Sequence, residues 1–390
     1  MWNSSKVLLF PKRQYSVLNI SSSCRDIKDD LARATSGKKH NLAIYKNEGS
    51  FQSRTLLAKH LKENIVYDDS KKSGLVVVNK PFGLSLLPGE TNEISLTCAL
   101  PELASYLEVS NISVIKSCGR SVSGCTLLNA GGEKTLKHVS KCVSRNRNNR
   151  KLGTKYLAIT NGIPRTSGVL ETVDVSLETI KTKKSLKGGD WKEPVIHREL
   201  VSQTKLRKGN QYGKKKDLQA VKMNRISVIA DILAKSRGNS TALVSIQPTD
   251  IQWNFLSAYM ANLLSPILGD SQFSYRVKTL FGKPIKVSHE NSPVGHISND
   301  LSRLVLGQLG MTSADEDNLP LHIHHFRTHL SGFFGKEDLN VYSPTPKYFD
   351  HTLNSLEIVV NFESLKKLDE IKEHSLPKRK DRKNKQTSET

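Results

Sequence analysis

Acidic residues are in short supply in this 390-residue chain. There are 37 Asp and Glu against 59 Lys and Arg, a formal net charge of +22, and the pI lies near 9.7. A solvated surface with basic tails has such a balance, and so does a protein with a polyanion partner. Lys and Arg run through the whole length, which favours RNA, DNA or a ribosome. Cysteine is scarce too. Cys24, Cys98, Cys118, Cys125 and Cys142 are odd in number, and none forms a CxxC pair. That argues against a disulfide framework or a zinc knuckle and fits a reducing compartment. Long apolar runs are missing: none approaches the ~20 residues of a membrane span. At 37% hydrophobic residues the chain can build a core, with part of its length left unpacked.

The N-terminus also lacks acids. None precedes Asp26, while Lys6, Lys12, Arg13 and Arg25 are basic and serines and apolar residues fill the gaps. This composition fits a mitochondrial presequence and predicts the matrix as destination. Arg13-Gln14-Tyr15-Ser16 is similar to a matrix-processing site cut after Tyr15. A disordered basic tail has the same composition. Pro11 breaks the apolar stretch, which argues against a secretory signal.

Periodicity then places the elements. Residues 53–65 have helical spacing, with Ser53 able to cap. Residues 75–79 are a β-branched strand stopped by Lys80-Pro81-Phe82-Gly83. A helix is expected over 96–107, interrupted near Pro101, then strand, turn and strand over 114–128, and a helix over 133–143. Residues 155–160 form a strand closed by Asn161-Gly162. Strands are expected at 226–233 and 242–247, a helix at 254–263, and strand passing into helix at 319–330. Short strands and helices alternate without a regular βαβ period. The expectation is an α+β fold with a mixed, mainly antiparallel sheet flanked by helices.

Between residues 178 and 216 the texture changes. Twelve basic residues face four acidic ones. Lys181, Lys183, Lys184, Lys187, Lys205, Arg207, Lys208, Lys214, Lys215 and Lys216 stand with Trp191 among them. A long basic loop or hairpin arm is expected here. A phosphate-tracking arm with a stacking group and a plain solvated insertion fit it equally. The last residues carry a second basic run, from Lys378 to Lys385, expected to be a disordered tail.

Five segments in order resemble the RluA-type RNA pseudouridine synthase family. Val76-Val77-Val78-Asn79-Lys80-Pro81-Phe82-Gly83-Leu84 is similar to its KP strand and turn. Ser123-Gly124 with Leu127-Leu128 match the second half of its HRLDxxTSGlll motif. Lys155-Tyr156-Leu157-Ala158, Pro266-Ile267-Leu268-Gly269-Asp270 and Leu319-Pro320-Leu321-His322 follow. Within the family, the chain looks most like the mitochondrial RNA pseudouridylate synthase domain-containing proteins, and among them resembles the degenerate member linked to mitochondrial messenger RNA. The resemblance implies the pseudouridine synthase fold over 66–362, with 178–216 as a basic insertion. Residues 1–40 are then presequence and linker, 41–65 a helical extension, and 363–390 the basic tail.

The family's reaction breaks the uridine N1–C1′ bond, turns the base and rejoins it through C5. It uses no cofactor and depends on one positioned aspartate, with the target base taken out of its stack. On this chain the motif places that aspartate at Gly119, beside Arg120 and Ser121. Glycine can neither attack nor hold charge. A second motif, TGRxHQIRvHl, falls on residues 250–260, where its arginines become Gln252 and Ser257 and its histidines Asn254 and Tyr259. Tyr156 and Lys80 match the family's active-site tyrosine and KP-turn lysine, so Tyr156, Lys80 and Arg120 form an expected remnant pocket. His322, His324, His325 and His329 have no carboxylate or cysteine at convincing spacing, which argues against a metal site. Two functions follow. One is a catalytically degenerate synthase fold that binds mitochondrial mRNA or rRNA, with an active synthase or ribosome-assembly factors as partners. The other is a working isomerase with a displaced nucleophile. The residues favour the first.

Overall fold

The apolar strands Leu75–Lys80 and Thr154–Asn161 set the plan, because each presents apolar side chains to both faces. Such strands need cover on both sides. The computed structural model describes residues 43–45, 50–89, 93–149, 151–166, 168–180, 191–197, 223–238, 240–281, 283–287 and 301–366. All of them fall within one compact unit, Asn41–Thr390. The basic-arm residues Lys181, Lys183, Lys184, Lys187, Lys205, Arg207, Lys208, Lys214, Lys215 and Lys216 lie outside the described residues, as do residues 1–40 and 367–390, which hold the presequence and all but the start of the C-terminal tail.

In chain order the elements are α1 (Arg54–Glu63), β1 (Ile65–Asp69), β2 (Leu75–Lys80), α2 (Leu100–Leu107), β3 (Ser113–Lys116), β4 (Ser123–Asn129), α3 (Glu133–Asn148) and β5 (Thr154–Asn161). Next come β6 (Glu171–Ile180), β7 (Trp191–His197), β8 (Met223–Lys235), β9 (Thr241–Pro248), α4 (Phe255–Asn262), β10 (Val277–Leu280) and β11 (Lys283–Lys286). The chain closes with α5 (Arg303–Leu309), β12 (Ile323–Phe334), β13 (Glu337–Tyr342) and α6 (Lys347–Ser355). Among the described residues, eleven strands make one sheet in the order β1-β2-β4-β12-β5-β9-β8-β6-β7, with β13 beside β12 and β3 beside β4. Every pairing is antiparallel except β4 with β12. The expected mixed, mainly antiparallel sheet is thus present.

Helices cover both faces. On one, α1 and α2 bury Leu57, Leu61, Leu100 and Leu103 against Val76, Val78 and Leu128. Further along that face, α4 buries Phe255, Ala258 and Met260 against Ala158, Val244 and Ile246. On the other face, α5 and α6 pack Val305, Leu309, Phe349 and Leu353 against Leu157, Ile159 and Leu243. Each fully buried leucine or phenylalanine contributes about 1.5–3 kcal/mol. The Ser53 hydroxyl accepts from the Leu56 amide at 3.1 Å and caps α1.

The expected break near Pro101 is present: a 3-10 turn over Thr97–Ala99 gives way to α2, and Pro101 sits in the first turn of α2, where its missing N–H has no partner to lose. One local expectation needs correction. The segment 319–330 does not pass into a helix. It is strand from Ile323 onward, because β4, β5 and β13 supply ladder partners that a helix would forgo. The hairpin part of the basic segment is present: β6 and β7 pair from Asp174 with His197 to Ile180 with Trp191.

Candidate active site

One row of paired residues crosses four strands. Lys80 at the end of β2 pairs with Gly124 of β4, Gly124 with His325 of β12, and His325 with Tyr156 of β5. Residues paired across strands point to the same face. The row therefore brings the KP lysine, the Ser-Gly turn, a β12 histidine and the Lys-Tyr tyrosine onto one face. It lies between the α1/α2 core and the α4 core. Glycine is required at 124: its φ is +116°, and a Cβ there would sit 2.4 Å from the His325 carbonyl oxygen.

The loop from β3 to β4 covers this row. Cys118 is buried, and its Sγ lies 3.5 Å from His325 Nδ1. That nitrogen also donates to the Cys125 carbonyl at 2.9 Å, and Nε2 accepts from Thr328 Oγ1 at 3.1 Å. The proton on Nδ1 means this imidazole cannot take one from Cys118. Tyr156 is 1% exposed, and its ring stacks on His325 at 4.6 Å and 19°. Its buried hydroxyl makes no hydrogen bond of good geometry, and Thr154 is its polar neighbour. Lys80 is fully buried and donates from Nζ to the Pro81 and Leu84 carbonyls, 3.1 Å each.

Burial governs the charges here. It lowers Lys80 to about 8, with Cys118 opposing, and raises the Cys118 thiol to about 11. His325 falls to about 3, through burial first and Lys116 second. Tyr156 is held well above 10, again by burial first. At neutral pH the thiol, imidazole and phenol are therefore all neutral. The cluster of Lys80, Cys118, His325 and Tyr156 offers no anionic nucleophile.

Gly119 sits on the exposed side of the loop. Among the described residues, no heavy atom lies within 4 Å of where its Cβ would be. Arg120 is half-exposed. Its Nε donates to the Gly83 carbonyl at 3.1 Å, and its Nη2 meets Glu93 Oε2 at 2.8 Å. Gly83 N returns a bond to the Arg120 carbonyl at 2.9 Å, so the KP turn and the loop are tied together. Glu93 is a carboxylate beside the turn that sequence reasoning missed. It lies far upstream with no motif around it, and only the fold brings it here.

Asp250, at the start of the second motif, is a carboxylate that acts on the Tyr156 phenol. Its Oδ1 accepts from the Ile251 and Gln252 amides and its Oδ2 from Asn224 Nδ2. These bonds commit it to its own turn. Trp253 and Asn254 follow with φ of 57° and 54° before α4 begins. In this segment Gln252 and Asn254 are exposed, while Ser257 and Tyr259 are buried and Tyr259 bonds Glu171.

His322, just before β12, and the β12 histidines have internal partners. His322 meets Leu268 O and Thr352 Oγ1, His324 meets Ser123 Oγ and Ser343 O, and His329 meets Asn340 Oδ1 and Ser331 Oγ. No group of three metal-binding side chains occurs among the described residues. Trp191 opens β7 opposite Ile180.

The fold is that of a pseudouridine synthase. It superposes on the human RNA pseudouridylate synthase domain-containing 4 structure with a TM-score of 0.54 at 22% identity, covering 79% of this chain and 98% of that one. Among curated proteins, the mitochondrial mRNA pseudouridine synthase RPUSD3 of Bos taurus is 31% identical over 312 residues, 79% of this chain and 81% of that protein. Its Homo sapiens counterpart is 30% identical over 308 residues, 78% of this chain and 79% of that protein. The pseudouridylate synthase RPUSD4, mitochondrial, of Danio rerio is 27% identical over 314 residues. No protein-family profile matches the chain. On these likenesses the chain belongs to the RNA pseudouridine synthase family that includes these mitochondrial proteins.

Proposed function

We propose that this protein is a mitochondrial RNA-binding member of the family that lacks the family's own nucleophile. It works in the matrix on messenger or ribosomal RNA, together with an active synthase or with ribosome-assembly factors. The observation that carries the reading is Gly119. The nucleophile position is open and empty of charge, and the buried groups beneath it are neutral except for Lys80. The net charge of +22 supports a polyanion partner. The mitochondrial names of the relatives and the acid-free N-terminus support the location.

A second reading rests on Glu93. Its carboxylate lies against Arg120, next to Gly119, and the relatives carry synthase names. In that reading Glu93 swings from Arg120 to act as the displaced nucleophile.

Mapping pseudouridine in mitochondrial RNA incubated with purified protein tests both. The expected result is tight, salt-sensitive RNA binding with no new pseudouridine. Turnover that vanishes in Glu93→Gln would establish the second reading and end the first.

A further inference from the structure

The β10–β11 hairpin belongs to neither the candidate active site nor the basic arm. Residues 276–287 hold Arg276, Lys278, Lys283 and Lys286 and no acid. The two strands form a sheet of their own. Their register pairs Lys278 with Ile285 and Leu280 with Lys283. Those four residues therefore share one face, and all four are exposed. The opposite face carries Val277, packed against the α4 core, and Lys286, whose Nζ donates to Asn262 Oδ1 at 2.6 Å. The basic, apolar face thus points away from the body.

At the tip stands Phe281, 96% exposed with a φ of +49°. A left-handed backbone costs a bulky residue about 1–2 kcal/mol. An aromatic ring in water at a strained turn gains nothing for folding in return. The root, by contrast, is firmly held. Arg276 is buried, pairs with Glu193 of β7 at 2.5 Å and donates twice to the Pro194 carbonyl. Tyr275 donates to the same Glu193 carboxylate. The Val287 amide closes the hairpin on the Arg276 carbonyl at 2.8 Å.

We propose that this hairpin is an RNA-docking finger: Phe281 stacks on an unpaired base while Lys278 and Lys283 hold the flanking phosphates. The inference rests on the RNA-binding reading above and gives that reading a specific surface. An unpaired strand is the occupant that matches both halves of the face. Phosphates match the lysines, and base faces match Phe281, Leu280 and Ile285. A duplex would offer the phosphates but keep its bases stacked away from the ring.

The test uses full-length protein with a fluorescein-labelled single-stranded RNA and a duplex of equal length. Phe281→Ala should weaken single-strand binding about 5- to 150-fold, the range for one lost base stack. It should leave duplex binding and the salt slope alone. Lys278→Ala with Lys283→Ala should reduce the single-strand salt slope by about 1.4, for two phosphates released. Phe281→Trp should bind like wild type and add a fluorescence quench on RNA addition beyond that of the three native tryptophans. If wild-type protein binds RNA while Phe281→Ala is unchanged and the new tryptophan is silent, the finger is refuted and the RNA reading stands. If wild-type protein binds no RNA, the reading itself falls and takes the finger with it. A Phe281→Trp signal with anionic lipid vesicles but none with RNA assigns the tip to a membrane and also overturns the proposal. The tip side chain is 96% exposed, so these variants keep the fold, and a thermal melt checks this.

Discussion

Gly119 in the loop and Gly124 five positions on in β4 give opposite predictions, and the contrast tests whether position 119 is empty or merely tight. Gly119 has no positive φ, and among the described residues no atom lies within 4 Å of an added Cβ. Gly119→Asp should therefore be tolerated. Restricting the unfolded chain stabilises by about 0.4–1 kcal/mol, so the melting temperature should stay within about 2 °C for a domain of this size. Gly124→Ala is the counter-case. Its backbone is left-handed, and its Cβ would lie 2.4 Å from the His325 oxygen and 2.7 Å from the His325 nitrogen. Strain of about 1–3 kcal/mol adds to a similar overpacking term, a loss of roughly 2–6 kcal/mol. At about 2 °C per kcal/mol that lowers the melting temperature by roughly 4–12 °C. The damage falls on the two-residue parallel pairing of β4 with β12, where β4, β12 and β5 join. Differential scanning fluorimetry of the two variants beside wild type decides. If Gly119→Asp unfolds as readily as Gly124→Ala, the glycine is a packing requirement, and its lack of a carboxylate says nothing about lost chemistry.

The remaining predictions concern charge. Burial lowers His322 and His324 to about 4 and His325 to about 3, against about 6.5 unfolded. Each stays neutral in the fold, so its contribution is complete above pH 6.5. It is lost as pH falls toward 4, at up to about 1.4 kcal/mol per pH unit for each histidine. Melting temperatures should therefore drop steeply between pH 6.5 and 4.5, and a flat profile there would refute buried neutral histidines. Lys80→Met removes the donor from two buried carbonyls and should cost about 1–3 kcal/mol in a urea titration; an unchanged midpoint would mean the lysine is not the one satisfying them. Arg120→Gln loses a half-exposed ion pair with Glu93, so stability should change by less than about 1 kcal/mol.

Much of the fold was legible because its signals are local. Short apolar runs bounded by the Lys80-Pro81 and Asn161-Gly162 turns gave Leu75–Lys80 and Thr154–Asn161, and Ser53 announced α1. The 319–330 segment misled because its partners β4, β5 and β13 are distant in sequence, and a ladder they supply leaves no local trace. The candidate site was half legible. Motif order pointed to Lys80, Gly119 and Tyr156, and the β-ladder places Lys80 and Tyr156 in one row under the loop that carries Gly119. His325 was read as one of a histidine group rather than as the ring that stacks on Tyr156. Glu93 and the Phe281 hairpin had no motif at all; a long-range ion pair marks one, and the other is marked only by exposure.

The positions that match the family pattern and those that depart from it divide mostly by burial. Lys80, Ser123, Tyr156 and His322 match, and each is 1% exposed or less. Lys80 holds the carbonyls of its own turn, Ser123 meets His324, Tyr156 stacks on His325, and His322 ties Leu268 to α6. Gly119, Gln252 and Asn254 depart and are exposed, while Ser257 and Tyr259 depart and are buried, Tyr259 with Glu171 as its partner. Loss at these three exposed positions removes charge without opening a cavity, so the fold tolerates it. Loss at the buried ones would leave unpaired polar groups or voids, at about 1–5 kcal/mol each. Tyr156 and Lys80 would therefore persist whether or not they ever meet a uridine, and their presence carries no weight for catalysis. The weight falls on exposed residues that packing does not require. Gly119 speaks there against turnover, and Phe281 speaks for a surface that touches RNA.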